Sequence, residues 1–397
     1  MNTSRAAAGI PGAHAEEEVK HLTASPRRLG ARARAHLEQF RLRRGLGRDD
    51  APAHAAARLR AFSSLAGGDG GGPHGGWRPL GPFAIPHGQT HGSGARSRPA
   101  VAGRVTAVAV DPADPGHLLV GTGGGGVWES RDAGQSWRPA TDRLPTPAVG
   151  AVAFDPRDPA VAYAGTGQGG FTAELGVGLL RSLDGGGSWR LLPGDGLLGA
   201  GFDRLVVDPG TGRLLAATTA GLYESADRGD SWTRRLAGPV WDLSLAATWQ
   251  DAGTAPWRGG AVTGSGGGEV LAGCAAGLCR SGDGGASWVA VLLPSAPSAF
   301  DRVAVCHGPA GAAWVFAAGD GVGHLWHRDR AGAAFQVVRP PADLQSQQAW
   351  YAWSVAAPPD DPEVLFLGAA GLHRGARGPD GRWSWVDLAA RPAGDAL

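Results

Sequence analysis

The chain has 397 residues, and its 37 Lys and Arg against 36 Asp and Glu give a formal charge of +1, so no global field calls for a nucleic-acid partner. Three cysteines, an odd and sparse count, exclude a disulfide framework, and no C-x-x-C pattern offers a metal site. No 18-residue apolar run reads as a membrane span, and the N-terminus has no secretory pattern, so the default compartment is the cytoplasm.

Charge is unevenly spread. Residues 1–76 hold twelve Lys or Arg against seven Asp or Glu, which leaves the remainder at −4. Residues 1–15 are small and polar, and the pattern turns helical over residues 16–62, with Pro26 and Pro52 as boundaries. Arg27, Arg28, Arg32, Arg34, Arg41, Arg43, Arg44 and Arg48 share this stretch with Leu29, Leu37, Phe40 and Leu42. Such a basic amphipathic helix can meet an anionic surface, but the reading adopted is a solvated arginine face whose apolar stripe packs on the rest of the chain or on a partner. Residues 1–66 thus form a helical, arginine-rich, partly disordered arm, and residues 67–76, nearly all glycine, form a flexible linker.

The body of the chain, residues 77–397, is a repeat. Ser130-Arg-Asp132-Ala-Gly134-Gln-Ser136-Trp137 returns as Ser182-Leu-Asp184-Gly-Gly186-Gly-Ser188-Trp189, as Ser225-Ala-Asp227-Arg-Gly229-Asp-Ser231-Trp232, and as Ser281-Gly-Asp283-Gly-Gly285-Ala-Ser287-Trp288. The intervals are 52, 43 and 56 residues, which marks one repeated supersecondary unit. Asp and Ser accept hydrogen bonds from nearby backbone N–H groups, and Gly supplies the positive φ that a tight turn needs. Trp opens the next strand and buries roughly 150–250 Å². The phrase is therefore a hairpin clasp with an anchor.

Around each clasp runs a common order: an apolar strand, a D-P turn, a small-residue strand, a third strand, the clasp and a Trp strand. Blades running from residue 104 through the first clasp at Trp137, and over residues 148–193, 202–236 and 240–294, follow it, with insertions over residues 168–177 and 250–268. Two further blades, residues 300–341 and 350–388, replace the clasp by other turns. Trp77-Arg-Pro-Leu-Gly-Pro82 reads like the fourth-strand segments Trp137-Arg-Pro-Ala and Trp189-Arg-Leu-Leu-Pro, standing alone before the first blade.

The S-x-D-x-G-x-S-W phrase is that of the Asp-box, or bacterial neuraminidase repeat. From Trp77 onward the chain resembles the Asp-box β-propellers, whose members include sialidases, xyloglucan-cleaving hydrolases, sortilin-type receptors and a photosystem assembly factor. The resemblance implies an all-β propeller of about six visible four-stranded blades, or an incomplete seven, behind a short helical arm. It also implies that the boxes lie between third and fourth strands, away from the ligand mouth, and serve structure.

Chemistry must then come from elsewhere. The glycines of residues 121–126 lack the Lys-Ser/Thr of a phosphate loop and lead into a strand. A sialidase needs three arginines and a Tyr nucleophile, but Tyr163 and Tyr223 fall inside strands, and Gly123 stands where the resemblance to xyloglucan hydrolases puts a catalytic Asp. First strands open with Phe202-Asp203-Arg204, Trp241-Asp242 and Phe300-Asp301-Arg302, and the last blade with Trp350-Tyr351. Asp203, Arg204, Trp241, Asp242, Asp301, Arg302, Trp350 and Tyr351 are the candidate ligand-binding set at the channel mouth; the competing reading is an interblade lock. The expected function is a noncatalytic, monomeric binding or scaffolding module for a protein or carbohydrate, with no cofactor and no metal. The alternative is a glycoside hydrolase using Glu174, Asp203, Asp242 or Asp301, with carboxylates ~5–5.5 or ~6.5–9.5 Å apart. Cys274 and Cys279 are expected as buried thiols facing one another across a hairpin.

Overall fold

The computed structural model describes residues 51–66, 103–169, 174–192, 194, 196–246, 268–341, 344, 353–358, 361–369 and 371–388. Trp77 to Pro82, the 67–76 linker, residues 170–173 of the first insertion, residues 250–267 of the second, and Trp350 and Tyr351 lie outside them. The strands form six antiparallel four-stranded sheets, each in simple sequence order. Blade 1 holds β1 (Val105–Val110), β2 (Leu118–Thr122), β3 (Val127–Ser130) and β4 (Arg138–Pro139). Blade 2 holds β5 (Val149–Asp155), β6 (Asp158–Thr166), β7 (Leu179–Ser182) and β8 (Arg190–Leu191). Blade 3 holds β9 (Phe202–Val207), β10 (Leu214–Thr218), β11 (Gly221–Ser225) and β12 (Thr233–Ala237). Blade 4 holds β13 (Val240–Leu245), β14 (Val270–Cys274), β15 (Gly277–Ser281) and β16 (Val289–Val291). Blade 5 holds β17 (Phe300–His307), β18 (Ala313–Gly319), β19 (Val322–Arg328) and β20 (Gln336–Val338). Blade 6 holds β21 (Ser354–Ala356), β22 (Val364–Gly368), β23 (Leu372–Arg377) and β24 (Trp383–Asp387).

Local side-chain chemistry sets the turns. Ser130 Oγ donates to Asp132 Oδ1 at 2.8 Å and accepts the Gly134 N–H at 2.8 Å. Asp132 in turn accepts the Ser136 N–H at 2.8 Å and the Ser136 hydroxyl at 2.6 Å, while the Trp137 indole donates to the Gly134 carbonyl at 3.0 Å. The same five bonds recur around Asp184, Asp227 and Asp283. Hydrogen bonds from Ser136 hold the Asp132 carboxyl at about 2; at Asp184 partial burial opposes the shift, and bonds from Ser188 and Ser182 carry it down to about 2 as well. At the same ends of the sheets, Asp111, Asp155 and Asp208 cap the D-P turns by accepting backbone N–H groups of Ala113, Arg157 and Gly210.

Blades pack face to face, and the five hydrophobic clusters lie between neighbours. The rule is clearest along the first strands, which line a channel. Ala107 and Ala109 pack on the cluster of Val149, Val152 and Phe154 in blade 2. Ala151 and Ala153 pack likewise on the cluster of Phe202, Leu205 and Val207 in blade 3. β1 and β5 thus offer small residues forward and bulky residues backward, a two-residue alternation that a strand presents to its two faces. A channel cavity of about 410 Å³ is lined by β1, β5, β9 and β13.

Helix α1 (Ala51–Ala66) rests on the loops that join blades. Ala55 is buried, Arg58 donates to Thr146 Oγ1 at 3.4 Å, and Gly199 abuts the Ala51 and Pro52 backbone. Pro52 stands in the first turn, where its missing N–H costs nothing. This part of the arm packs directly on those loops.

Candidate binding site at the channel mouth

In five blades the pairing of the first strand with the second slips by one residue at its entrance. The slips lie between Val105 and Ala107, Val149 and Ala151, Phe202 and Arg204, Val240 and Asp242, and Phe300 and Arg302. Each bulge adds an unpaired residue and re-aims the side chains beside it. Thr106, Gly150, Asp203, Trp241 and Asp301 occupy the bulges, and Ala107, Ala151, Arg204, Asp242 and Arg302 follow as the first re-paired residues. The sequence pattern aligned Asp242 with Asp203 and Asp301. Register instead aligns it with Arg204 and Arg302, so acid and base face each other across blades.

The pairs that result are specific. Arg302 Nη2 in blade 5 lies 3.4 Å from Asp203 Oδ1 in blade 3, and Arg204 Nε in blade 3 lies 3.5 Å from Asp242 Oδ1 in blade 4. Asp242 also accepts the Leu243 N–H at 2.9 Å and, through Oδ2, the Val305 N–H of blade 5 at 3.0 Å. The Asp203 side chain is 5% exposed and its Oδ2 lies against the Gly169 backbone. Burial pushes its carboxyl up to about 6 against the pull of Arg302, with the nearby Asp242 charge adding to the rise. Burial raises Asp242 too, opposed by Arg204 and the Val305 N–H. Arg204 is exposed, and Asp301 is half-buried.

The aromatic partners of these residues have a different position from the one their sequence neighbours suggest. Phe202 is fully buried and sits over Gly165, where a Cβ would come within 2.3 Å of its ring. Phe300 covers Gly277 in the same way, at 2.7 Å, and Trp241 packs against the cluster between blades 4 and 5. Glu174 lies in the loop of blade 2 whose carbonyl accepts the Gln168 N–H. That loop brings Gly169 to Asp203, a contact no motif signalled.

A second polar cluster at the far ends of the strands also escaped sequence reading. Glu269 receives His307 Nε2 at 3.1 Å and is paired with Arg280 and Arg328, while His307 Nδ1 meets Ser244 Oγ at 2.9 Å. Burial pushes His307 down to about 4. Four-residue spacing cannot reveal it, because its members come from blades 4 and 5. Cys274 and Cys279 are free thiols with Sγ atoms 3.5 Å apart, as their hairpin spacing predicts. Among the described residues no group of three metal ligands comes together, and no helix is long and apolar enough to cross a membrane.

Six four-stranded blades packed in sequence around a channel define a β-propeller. No protein-family model matches the sequence, and no curated protein sequence is similar to it. The fold is similar to that of an ancestral GH74 enzyme, at 17% identity and a TM-score of 0.55, over 78% of this chain and 40% of that one. It is similar to the GH74 enzyme of Niastella koreensis, at 17% identity and TM-score 0.54, over 77% of this chain and 47% of that one. It is also similar to YCF48 bound to D1 peptide, at 18% identity and TM-score 0.50, over 71% of this chain and 82% of that one. The chain spans less than half the length of these GH74 enzymes. At such identities the likeness carries the fold and leaves the chemistry to the site.

Proposed function

We propose that this propeller is a noncatalytic binding module that holds a polypeptide at the channel mouth, on Arg204 and the carboxylates and arginines grouped around it. The observation that carries the reading is the engagement of Asp242: one oxygen accepts the Val305 N–H, and the other meets Leu243 N–H and Arg204. A carboxylate so committed supports a fixed electrostatic surface and is poorly placed to activate water. Arg204 remains exposed beside it, and guanidinium groups suit backbone carbonyls and acidic side chains. Among the similar folds, the YCF48 structure holds a D1 peptide, which is consistent with this use of a propeller. The four clasps support placing the blades in the Asp-box group.

A glycoside hydrolase is the second reading, favoured by one observation. Asp203 is held up to about 6 by burial, with the Asp242 charge nearby, and a carboxyl raised in this way can serve as a general acid. A peptide array and a polysaccharide panel with product analysis, run on the parent chain and on Arg204→Ala, test both. Peptide binding lost in Arg204→Ala with an unchanged melting temperature is expected. Release of sugar products, abolished by Asp203→Asn, would overturn the binding reading.

A further inference from the structure

We propose that Cys274 and Cys279 form a redox-active dithiol, a modification site at which a hydroperoxide closes a disulfide across the β14–β15 hairpin. Their Sγ atoms are 3.5 Å apart, in hydrogen-bond contact, and both residues are buried in the cluster between blades 3 and 4. The other blades set the reference. Thr122, Thr166 and Thr218 hold the position of Cys274 in blades 1 to 3, and Trp128, Leu180 and Tyr223 hold the position of Cys279. Both positions turn to cysteine in one blade, on side chains that touch.

The same blades show what the first of these positions offers. Each threonine hydroxyl donates to the glycine carbonyl across the turn, that of Gly126, Gly178 or Gly221, and accepts backbone N–H in return. Thr218 Oγ1 accepts two, from Ala220 at 3.2 Å and from Gly221 at 3.1 Å. In blade 4 this cradle holds sulfur in place of oxygen. The Cys279 thiol donates to Cys274 and pulls it below the ordinary thiol range, the Ala276 and Gly277 N–H groups pull in the same direction, and burial opposes them. The same hydrogen bond and burial push Cys279 up. One sulfur is thus favoured as thiolate with a protonated thiol beside it, which is the arrangement of a nucleophilic and a resolving cysteine. A packing role asks only for small apolar groups and gains nothing from sulfur set on two N–H donors.

With hydrogen peroxide as the oxidant the chemistry balances. The Cys274 thiolate attacks one peroxide oxygen, the O–O bond breaks, and the departing hydroxide takes up the proton that Cys274 released, leaving a sulfenic acid and one water. Cys279 then attacks the sulfenic sulfur, the S–O bond breaks, and the hydroxyl leaves with the Cys279 proton as a second water. Two electrons pass from the sulfurs to the peroxide. The exposed turn of Ala275 and Ala276 beside Cys274 gives a small oxidant its approach. By register Cys274 pairs with Val240 and Gly273 with Asp242, so the bridge fastens the hairpin next to the strand that carries Asp242. Cys306 supplies an internal reference: burial and the Asp242 charge push its thiol up, and it packs in a different cluster, between blades 5 and 6.

The test exposes the full chain to hydrogen peroxide at pH 7, blocks the remaining thiols with iodoacetamide, and maps all three cysteines by mass spectrometry without reduction. The expected result is an intramolecular disulfide between Cys274 and Cys279 that dithiothreitol reopens, with Cys306 oxidised about tenfold more slowly or not at all. Cys279→Ala should stop the reaction at the Cys274 sulfenic acid, trapped by dimedone, and Cys274→Thr, which restores the residue of the other blades, should leave Cys279 reduced. Three results overturn the proposal: both thiols still alkylated at a peroxide dose that fully oxidises glutathione; Cys306 oxidised as fast as Cys274; or disulfides that join two chains in place of closing one hairpin. The parent chain alone decides among these, so a variant that fails to fold leaves the test standing. None of the readouts involves a peptide ligand, so the dithiol and the channel mouth fail independently.

Discussion

Arg302 in the fifth blade reaches Asp203 in the third at 3.4 Å, passing the blade that lies between them in sequence, with 99 residues separating the pair. The contact ties three blades into one electrostatic unit. It also explains why a carboxyl with 5% exposure stays as low as it does.

The pair makes stability depend on pH in a defined direction. Asp203 sits at about 6 in the folded chain against an ordinary value of 3.8. Between these values the native state keeps a proton that the unfolded state has released, so this group's contribution to stability falls as pH rises from about 4 to about 6. Asp203→Asn should remove a loss of about 3 kcal/mol across that window. The measurement is the melting temperature of variant and parent from pH 4 to 7: the difference should grow up to about 6 and then level off. Arg302→Met should extend the window upward.

His327 acts in the opposite sense. It stacks on Trp314 with ring centroids 3.6 Å apart, and burial pushes it down to about 4, opposed by Asp329. The native ring stays neutral where the unfolded one, at 6.5, takes a proton, so stability falls as pH falls from 6.5 toward 4. His327→Phe keeps the stack and should flatten this limb by up to about 3 kcal/mol, read as the difference between variant and parent in urea at pH 7 and pH 4.5.

The glycine at the fifth position of the clasp is predicted to be irreplaceable for two reasons at once. Gly229 has a φ of 94°, and a Cβ there would come within 2.5 Å of Leu179 Cδ2. Gly229→Ala should cost about 2–4 kcal/mol in urea unfolding, from left-handed backbone strain and overpacking together. Leu179→Ala in the same chain should recover part of the loss, a coupling that independent effects would not show.

The fourth position carries strain that can be relieved. Ala133 and Arg228 hold φ values of 58° and 59°, whereas Gly185 and Gly284 fill the same place in the other two clasps. Arg228→Gly should therefore stabilise the chain by about 0.5–1 kcal/mol, the removed strain less the added freedom of the unfolded glycine. A lower urea midpoint for Arg228→Gly would show that the clasp tolerates a side chain there without strain.

The clasps, the D-P turns and the six blades were legible because their causes are local. Ser130, Asp132 and Trp137 bond within eight residues, and a pattern repeated at 52, 43 and 56 residues shows itself without an alignment. The candidate mouth was legible in part: the charged entries of the first strands do meet around Asp203 and Asp242. Their roles were not. Whether Phe202 faces a ligand or covers Gly165, and whether Asp242 answers to Asp203 or to Arg204, depends on a one-residue bulge.

By itself, then, the amino-acid sequence determined the repeat, the turn chemistry and the number of visible blades, all consequences of hydrogen bonds and apolar alternation within single hairpins. Tertiary structure alone decided which side chains meet across blades, as in the Arg302 and Asp203 pair. The physical reason is that contacts between blades join residues far apart in the chain, and a shift of one residue in pairing turns each side chain to the other face.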